Sequence, residues 1–166
     1  MEIKERMVQI TEGQNTILIN PSFEVNMRLF NASDGYKFSV LVAIDHMIET
    51  MHKDFDNYPE IKGISGANVG IPYKIIVVKK KNDVDLVMIN PKIIRHSKKK
   101  VKAKTNCGSV NLCESIEVKR YCWVIVEYYN RKGSKCCEKF DREHYGFTIQ
   151  HEIDHVNGIL ITDKGV

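Results

Sequence analysis

The stretch Gln150-His151-Glu152-Ile153-Asp154-His155 constrains this 166-residue chain more than any other. On a helix, positions i and i+4 share a face, so His151 and His155 can point two imidazoles at one metal ion. Glu152, one residue on, can then reach a water bound to that metal and act as its general base. The same three residues also occur by chance on solvated helices, so the flanks matter. Phe147, Ile153, Leu160 and Ile161 are apolar and predict a helix buried in a core, with Gly158 marking its end. A buried His-Glu-His set needs a partner, because unpaired polar groups cost several kcal/mol inside a protein. A metal is the simplest partner.

The third ligand is not downstream. Thermolysin-like proteases take a glutamate well beyond the second histidine, but only 11 residues follow His155. The metzincin pattern does place a glycine where Gly158 stands, yet its third histidine would fall on Ile161. The remaining ligand is therefore expected upstream, or is absent.

Composition narrows the class. Hydrophobic residues at 43% and charged residues at 28% fit one soluble domain spanning 1–166. No apolar run approaches the roughly 20 residues of a membrane span, and the first residues lack the apolar core of a secretory signal. The five cysteines are odd in number and include no CxxC pair. That argues against a disulfide framework or a zinc ribbon and for a reducing, cytoplasmic setting. The net charge of +4 comes largely from lysines at 79–81 and 98–104. These read as solvated loop faces, with no specific nucleic acid as partner.

Along the chain, residues 1–35 predict extended segments and turns such as Ile17-Leu18-Ile19. Val40, Ile44, Met47, Ile48 and Met51 recur at helical spacing and predict a helix over 36–54, with His46 and His52 on its surface. Gly63-Ile64-Ser65-Gly66-Ala67-Asn68-Val69-Gly70 carries three glycines in eight residues, which permits close approach of a ligand. Strands are predicted over 73–78 and at Leu86-Val87-Met88-Ile89, the second ended by Asn90-Pro91, with Ile93 and Ile94 continuing as an edge strand. One strong strand is predicted over 117–129. Arg131-Lys132-Gly133 turns the chain into a returning strand at 136–140. Helix, then antiparallel strands, then helix makes the class α+β.

Several of these stretches, taken in order, resemble the peptide deformylase family. Gly63 to Gly70 resembles the GLAAPQIG part of that family, and Asn90-Pro91-Lys92-Ile93 its NPxI segment. Cys107-Gly108-Ser109-Val110-Asn111 falls where the family carries EGCLS. Gln150 to Ile159 is nearly its QHEIDHLNGI unchanged. The resemblance covers about residues 38 to 163. It implies antiparallel β-sheets packed around a central HExxH helix and one divalent metal ion, Fe²⁺ or in its place Zn²⁺ or Ni²⁺. It also implies removal of the formyl group from N-formylmethionyl peptides. The substrates would be N-formylated nascent peptides, the ribosome a candidate partner, and the protein a monomer in the cytoplasm.

Carried over by position, His151 and His155 are metal ligands and Glu152 is the general base and acid. The family's oxyanion donors are a glutamine of the first motif and the backbone N–H after the cysteine ligand; they fall on Asn68 and Val110. Gly63 opens the glycine-rich stretch beside them. Three positions depart from the family. The cysteine ligand falls on Ser109, the glutamine on Asn68, and the glutamate before the cysteine on Cys107. A neutral hydroxyl at Ser109 would remove a negative charge from the metal shell. If this stretch is extended, Cys107 and Cys113 face the same way as Ser109, and either can stand in as the third ligand. Asn68 keeps an amide donor but is one methylene shorter than glutamine. Phe147 suits an apolar substrate pocket, which His144 and Thr148 make more polar. The alternative to an enzyme is a degenerate relative that binds peptide or a partner without efficient catalysis.

Overall fold

The structure, a computed structural model, describes residues 16–55, 62–81, 84–105, 107 and 115–164. The chain opens with a helical turn α1 (Thr16–Ile19) and a short helix α2 (Met27–Ala32). The long helix α3 (Asp34–Phe55) follows. Strands β1 (Gly63–Ser65), β2 (Ile75–Val78), β3 (Leu86–His96), β4 (Lys100–Thr105), β5 (Ile116–Tyr121), β6 (Trp123–Tyr129) and β7 (Lys135–Asp141) lead to helix α4 (Gly146–Val156). A 3₁₀ turn at Gly66–Val69 follows β1 directly.

The strands form two antiparallel sheets, one of five in the order β1-β2-β3-β6-β7 and a ribbon of β4 with β5. The run Ile75-Ile76-Val77-Val78 is apolar at every position because β2 is covered on both faces. Ile75 and Val77 pack with Ile44, Met47 and Met51 of α3. Ile76 and Val78 pack with Ile149, Ile153 and Val156 of α4. Burying those three side chains of α4 contributes on the order of 5 kcal/mol, and this seats the helix against the sheet despite its polar residues. The five-stranded sheet and α4 together give the expected α+β arrangement around the HExxH helix.

Three local expectations are corrected. Ile17-Leu18-Ile19 is helical rather than extended. Asn90-Pro91 does not end a strand; the segment beyond it continues the same strand, and its ladder partners among the described residues are all on β6. Strand β3 runs through both residues between β2 and β6, with register shifts between Ile89 and Lys92 and between Ile93 and Arg95. Asn90 takes a φ of 52° there. Its side chain accepts from the Val25 N–H and donates to the Val25 carbonyl, both at 2.8 Å, so the irregular ladder is completed from the side. The predicted single strand over 117–129 is two strands in different sheets. The chain bends at Cys122, whose N–H donates to Ser97 Oγ at 2.9 Å, and no glycine or proline announces the bend.

Candidate metal centre

Helix α4 carries the site. Its entry is tight: Tyr145 sits at φ 64°, and a Cβ on Gly146 would lie 2.6 Å from the Asp141 carbonyl oxygen. Its exit is a glycine-terminated cap. The Gly158 N–H donates to the His155 carbonyl at 3.0 Å and the Ile159 N–H to the Asp154 carbonyl at 2.9 Å. Gly158 adopts φ 72°, where a side chain would also strike the backbone of Asn20.

Between these ends, His151 and His155 turn their Nε2 atoms to within 3.2 Å of each other, with rings nearly perpendicular. Cys107, buried in the segment after β4, places Sγ 3.2 Å from His155 Nε2. The three donor atoms lie within 4.8 Å of one another. Donors around a tetrahedral metal, with bonds of about 2.0–2.3 Å, stand roughly 3.3–3.6 Å apart. The cluster therefore fits one ion. The thiolate-plus-two-imidazole set suits a first-row divalent metal rather than magnesium or calcium.

Both histidines are held neutral. Burial pushes His155 down to about 4, with the Arg120 guanidinium adding to the effect and Asp154 opposing it. Burial, His155, Arg120 and Lys164 hold His151 well below the ordinary imidazole value. Each therefore keeps a lone pair for a metal at neutral pH.

Glu152 lies in the same buried turn, and its Oε2 has no hydrogen-bond partner among the described residues. Burial pushes its carboxyl up to about 8, and the nearby Asp154 adds to the rise while Arg120 opposes it. An unpaired, desolvated carboxyl beside three inward donors is the arrangement a proton-transferring group needs. Gly63 faces it. A Cβ at Gly63 would come within 3.0 Å of Glu152 Cγ and Oε1 and 2.7 Å from Thr148 Cγ2. Only glycine lets β1 pass this close.

Asn68 is buried in the 3₁₀ turn that packs on α4. Its Oδ1 accepts from the Ser65 N–H at 2.8 Å and from Ser65 Oγ at 2.7 Å, which fixes the orientation of the amide. Ser109, Val110 and Cys113 lie outside the described residues. His46 and His52 are exposed on α3, and His52 pairs with Asp85 at 2.5 Å.

Three supporting residues carried no assigned role in the sequence reading. Arg120, buried on β5, pairs with Asp154 Oδ2 and reaches to 3.4 Å from His151 Nδ1. Lys164 holds the other oxygen, Asp154 Oδ1, at 2.6 Å. Gln150 accepts from the Tyr121 N–H at 2.9 Å and donates to the Tyr121 carbonyl at 3.0 Å, locking α4 to the end of β5. The available signal for Arg120 was its phase. It lies two residues from the buried Val118 on one strand face, a poor place for a charge unless something inside pairs with it.

A pocket of about 380 Å³ adjoins the centre, lined by Arg120, Phe147 and Thr148 with Lys62, Lys104 and Thr105.

Comparison with known proteins places this geometry. The sequence profile described as polypeptide deformylase matches residues 28–165. The chain is 32% identical over 133 residues to a peptide deformylase of Brachyspira hyodysenteriae, covering 75% of this chain and 67% of the relative. It is 33% identical over 124 residues to a peptide deformylase of Rhizobium meliloti, covering 72% and 67%. The crystal structure of a probable peptide deformylase from Synechococcus phage S-SSM7 superposes with a TM-score of 0.76 at 30% identity, covering 95% of this chain and 97% of that one.

Proposed function

From the premise that the chain belongs to the polypeptide deformylase family, we propose that it removes the formyl group from N-formylmethionyl peptides as a metal-dependent amidohydrolase. One observation carries the reading at the level of the site: Cys107, His151 and His155 converge beside a buried, unpaired Glu152. In this reading Cys107 is the third ligand in place of Ser109. In sequence, Asn106 and Gly108 then take the places of the residues that flank the family's cysteine, and Thr105 that of the glutamate before it. The residue after the ligand, whose N–H donates to the oxyanion, becomes Gly108 rather than Val110.

A divalent ion held by Cys107, His151 and His155 would supply Lewis acidity at the formyl oxygen and lower the pKa of the attacking water. Glu152 takes the proton from that water as it adds to the formyl carbon. The same carboxyl then delivers the proton to the leaving amine, so the formyl C–N bond breaks to give formate and a free amino terminus. Its elevated affinity for protons helps the second half of that task. Asn68, anchored through Oδ1 by Ser65, presents an amide donor to the developing oxyanion. Arg120 and Lys164 hold Asp154, and with it the helix turn that carries both histidines. The pocket beside Thr148 and Phe147 receives the first side chain.

Which of Fe²⁺, Zn²⁺ and Ni²⁺ is resident belongs to the same proposal, with Fe²⁺ first. So do a monomer acting as one domain over 1–166, nascent chains at the ribosome as the source of substrate, and a cytoplasmic location. Among the described residues no helix is long and apolar enough to cross a membrane. The rival reading, a relative that binds without catalysis, drew on the changes at Ser109 and Asn68; Cys107 beside His155 offers a ligand in place of the serine, and Asn68 keeps an amide donor. The test is formate release from formyl-Met-Ala-Ser by metal-loaded protein. Turnover should vanish on chelation and return with added Fe²⁺ or Ni²⁺. Loaded protein that leaves the peptide intact would overturn the reading.

A further inference from the structure

We propose that the pocket beside the metal centre selects formylated peptides that carry a carboxylate side chain in the residues just after the first. This deepens the deformylase reading and rests on it. Cations and no carboxylate line the pocket among the described residues. Three cations contribute, and they are not equivalent. The charge of Arg120 is already matched by Asp154. Lys62 and Lys104 are exposed, and neither has an ion-pair partner among the described residues.

For Lys104 the reason lies in the strand register. It stands directly opposite Glu117 across the β4–β5 ribbon, but Glu117 is taken by Lys102 at 2.6 Å. Lys62 immediately precedes Gly63, and so places its charge beside the backbone that covers Glu152. Two like charges at one pocket repel each other, and a bound anion relieves that repulsion.

The pocket's depth and rim divide the work. Phe147 and Thr148 are part-buried and lie one helical turn before Glu152, next to the bond being cleaved. They suit the first side chain. The exposed lysines stand further out, where the following residues of the peptide leave the pocket. The same exposed face of β4 continues past Lys102, whose charge Glu117 matches, to Lys100, so one more cation stands along that exit.

The experiment compares formyl-Met-Glu-Ser, formyl-Met-Ala-Ser and formyl-Met-Lys-Ser on metal-loaded protein. It is run with wild type and with the double variant Lys62→Glu/Lys104→Glu. The expected result is kcat/KM about three- to ten-fold higher for the glutamate peptide than for the lysine peptide, shrinking as salt is raised. In the double variant the order of the glutamate and lysine peptides, each read relative to formyl-Met-Ala-Ser on the same protein, should reverse. Equal rates on all three peptides, or a glutamate preference that survives in the double variant, would overturn the proposal. A parallel calorimetric titration with the deformylated products Met-Glu-Ser and Met-Lys-Ser separates the two readings. If no formyl peptide is cleaved yet Met-Glu-Ser binds more tightly in a lysine-dependent way, the activity reading fails and the charge selection stands. If neither product is favoured, the charge selection fails whatever the activity.

Discussion

Cys107 Sγ lies 3.2 Å from His155 Nε2, across 48 residues of sequence, and His151 Nε2 lies at the same distance from His155 Nε2. That relationship makes the thiol the candidate third donor of the centre. Replacing the soft anionic ligand with a hydroxyl removes charge and affinity together. Cys107→Ser should weaken metal binding by at least about 100-fold, whereas Ser109→Ala should leave it within a few fold. Cobalt(II) substitution reads this directly: the thiolate-to-cobalt absorption band should be lost in Cys107→Ser and kept in Ser109→Ala.

The close approach of Gly63 to Glu152 makes a second prediction. A methyl group there would sit 3.0 Å from Glu152 Oε1 and 2.7 Å from Thr148 Cγ2. The carboxyl must move, and a displacement of about 1 Å at a reacting group costs on the order of 10²-fold in rate. Gly63→Ala should therefore lower kcat by about that factor while metal content stays at the wild-type level. Steady-state kinetics beside metal analysis checks it.

The HExxH helix, its glycine exit and the helix α3 were legible from the sequence because periodicity and capping are local signals. The apolar positions Val40, Ile44, Met47 and Met51 all turned out buried. The break at Cys122 and the passage of β3 through Asn90-Pro91 were not legible. Both depend on side chains from remote segments, Ser97 and the backbone of Val25, that satisfy the irregular backbone. The third ligand was left among three residues for a similar reason. At spacings of two and four, Cys107, Ser109 and Cys113 would share one face if the segment were extended, so sequence spacing alone does not separate them. Arg120 and Gln150 went unassigned because their partners, Asp154 and Tyr121, are more than 25 residues away.

Gln150 offers a stability prediction. Gln150→Ala would strand the Tyr121 N–H and carbonyl beside a buried helix, a cost of about 2–4 kcal/mol. For a chain of this size that lowers Tm by on the order of 10 °C. Thermal unfolding of the metal-loaded variant measures it, and Gln150→Glu, which keeps one acceptor, should lie between the two.

Glu152 sets a pH dependence in chelated protein. Its folded-state pKa is raised to about 8 from an ordinary value of 4.5. The folded state therefore holds a proton that the unfolded chain has lost, and this stabilisation is full below about pH 4.5 and declines as pH rises through 8. The depressed histidines stay neutral in the folded state, but in the unfolded chain they still titrate around their ordinary value of 6.5 and oppose this slope up to about pH 7.5, so the comparison with Glu152→Gln isolates the carboxyl. Denaturant unfolding should show wild type losing about 1–2 kcal/mol of stability relative to Glu152→Gln between about pH 6.5 and 8.

The central claim is that Glu152 moves the proton at a metal centre built from Cys107, His151 and His155. Its most direct test is to measure bound metal and formate release from formyl-Met-Ala-Ser on the same anaerobic preparations of wild type and Glu152→Gln. The predicted result is about one metal ion per chain in both proteins, with turnover in the variant reduced by about 10²–10⁴-fold. Undiminished turnover in Glu152→Gln, or wild-type protein that holds its metal and releases no formate, would contradict the account.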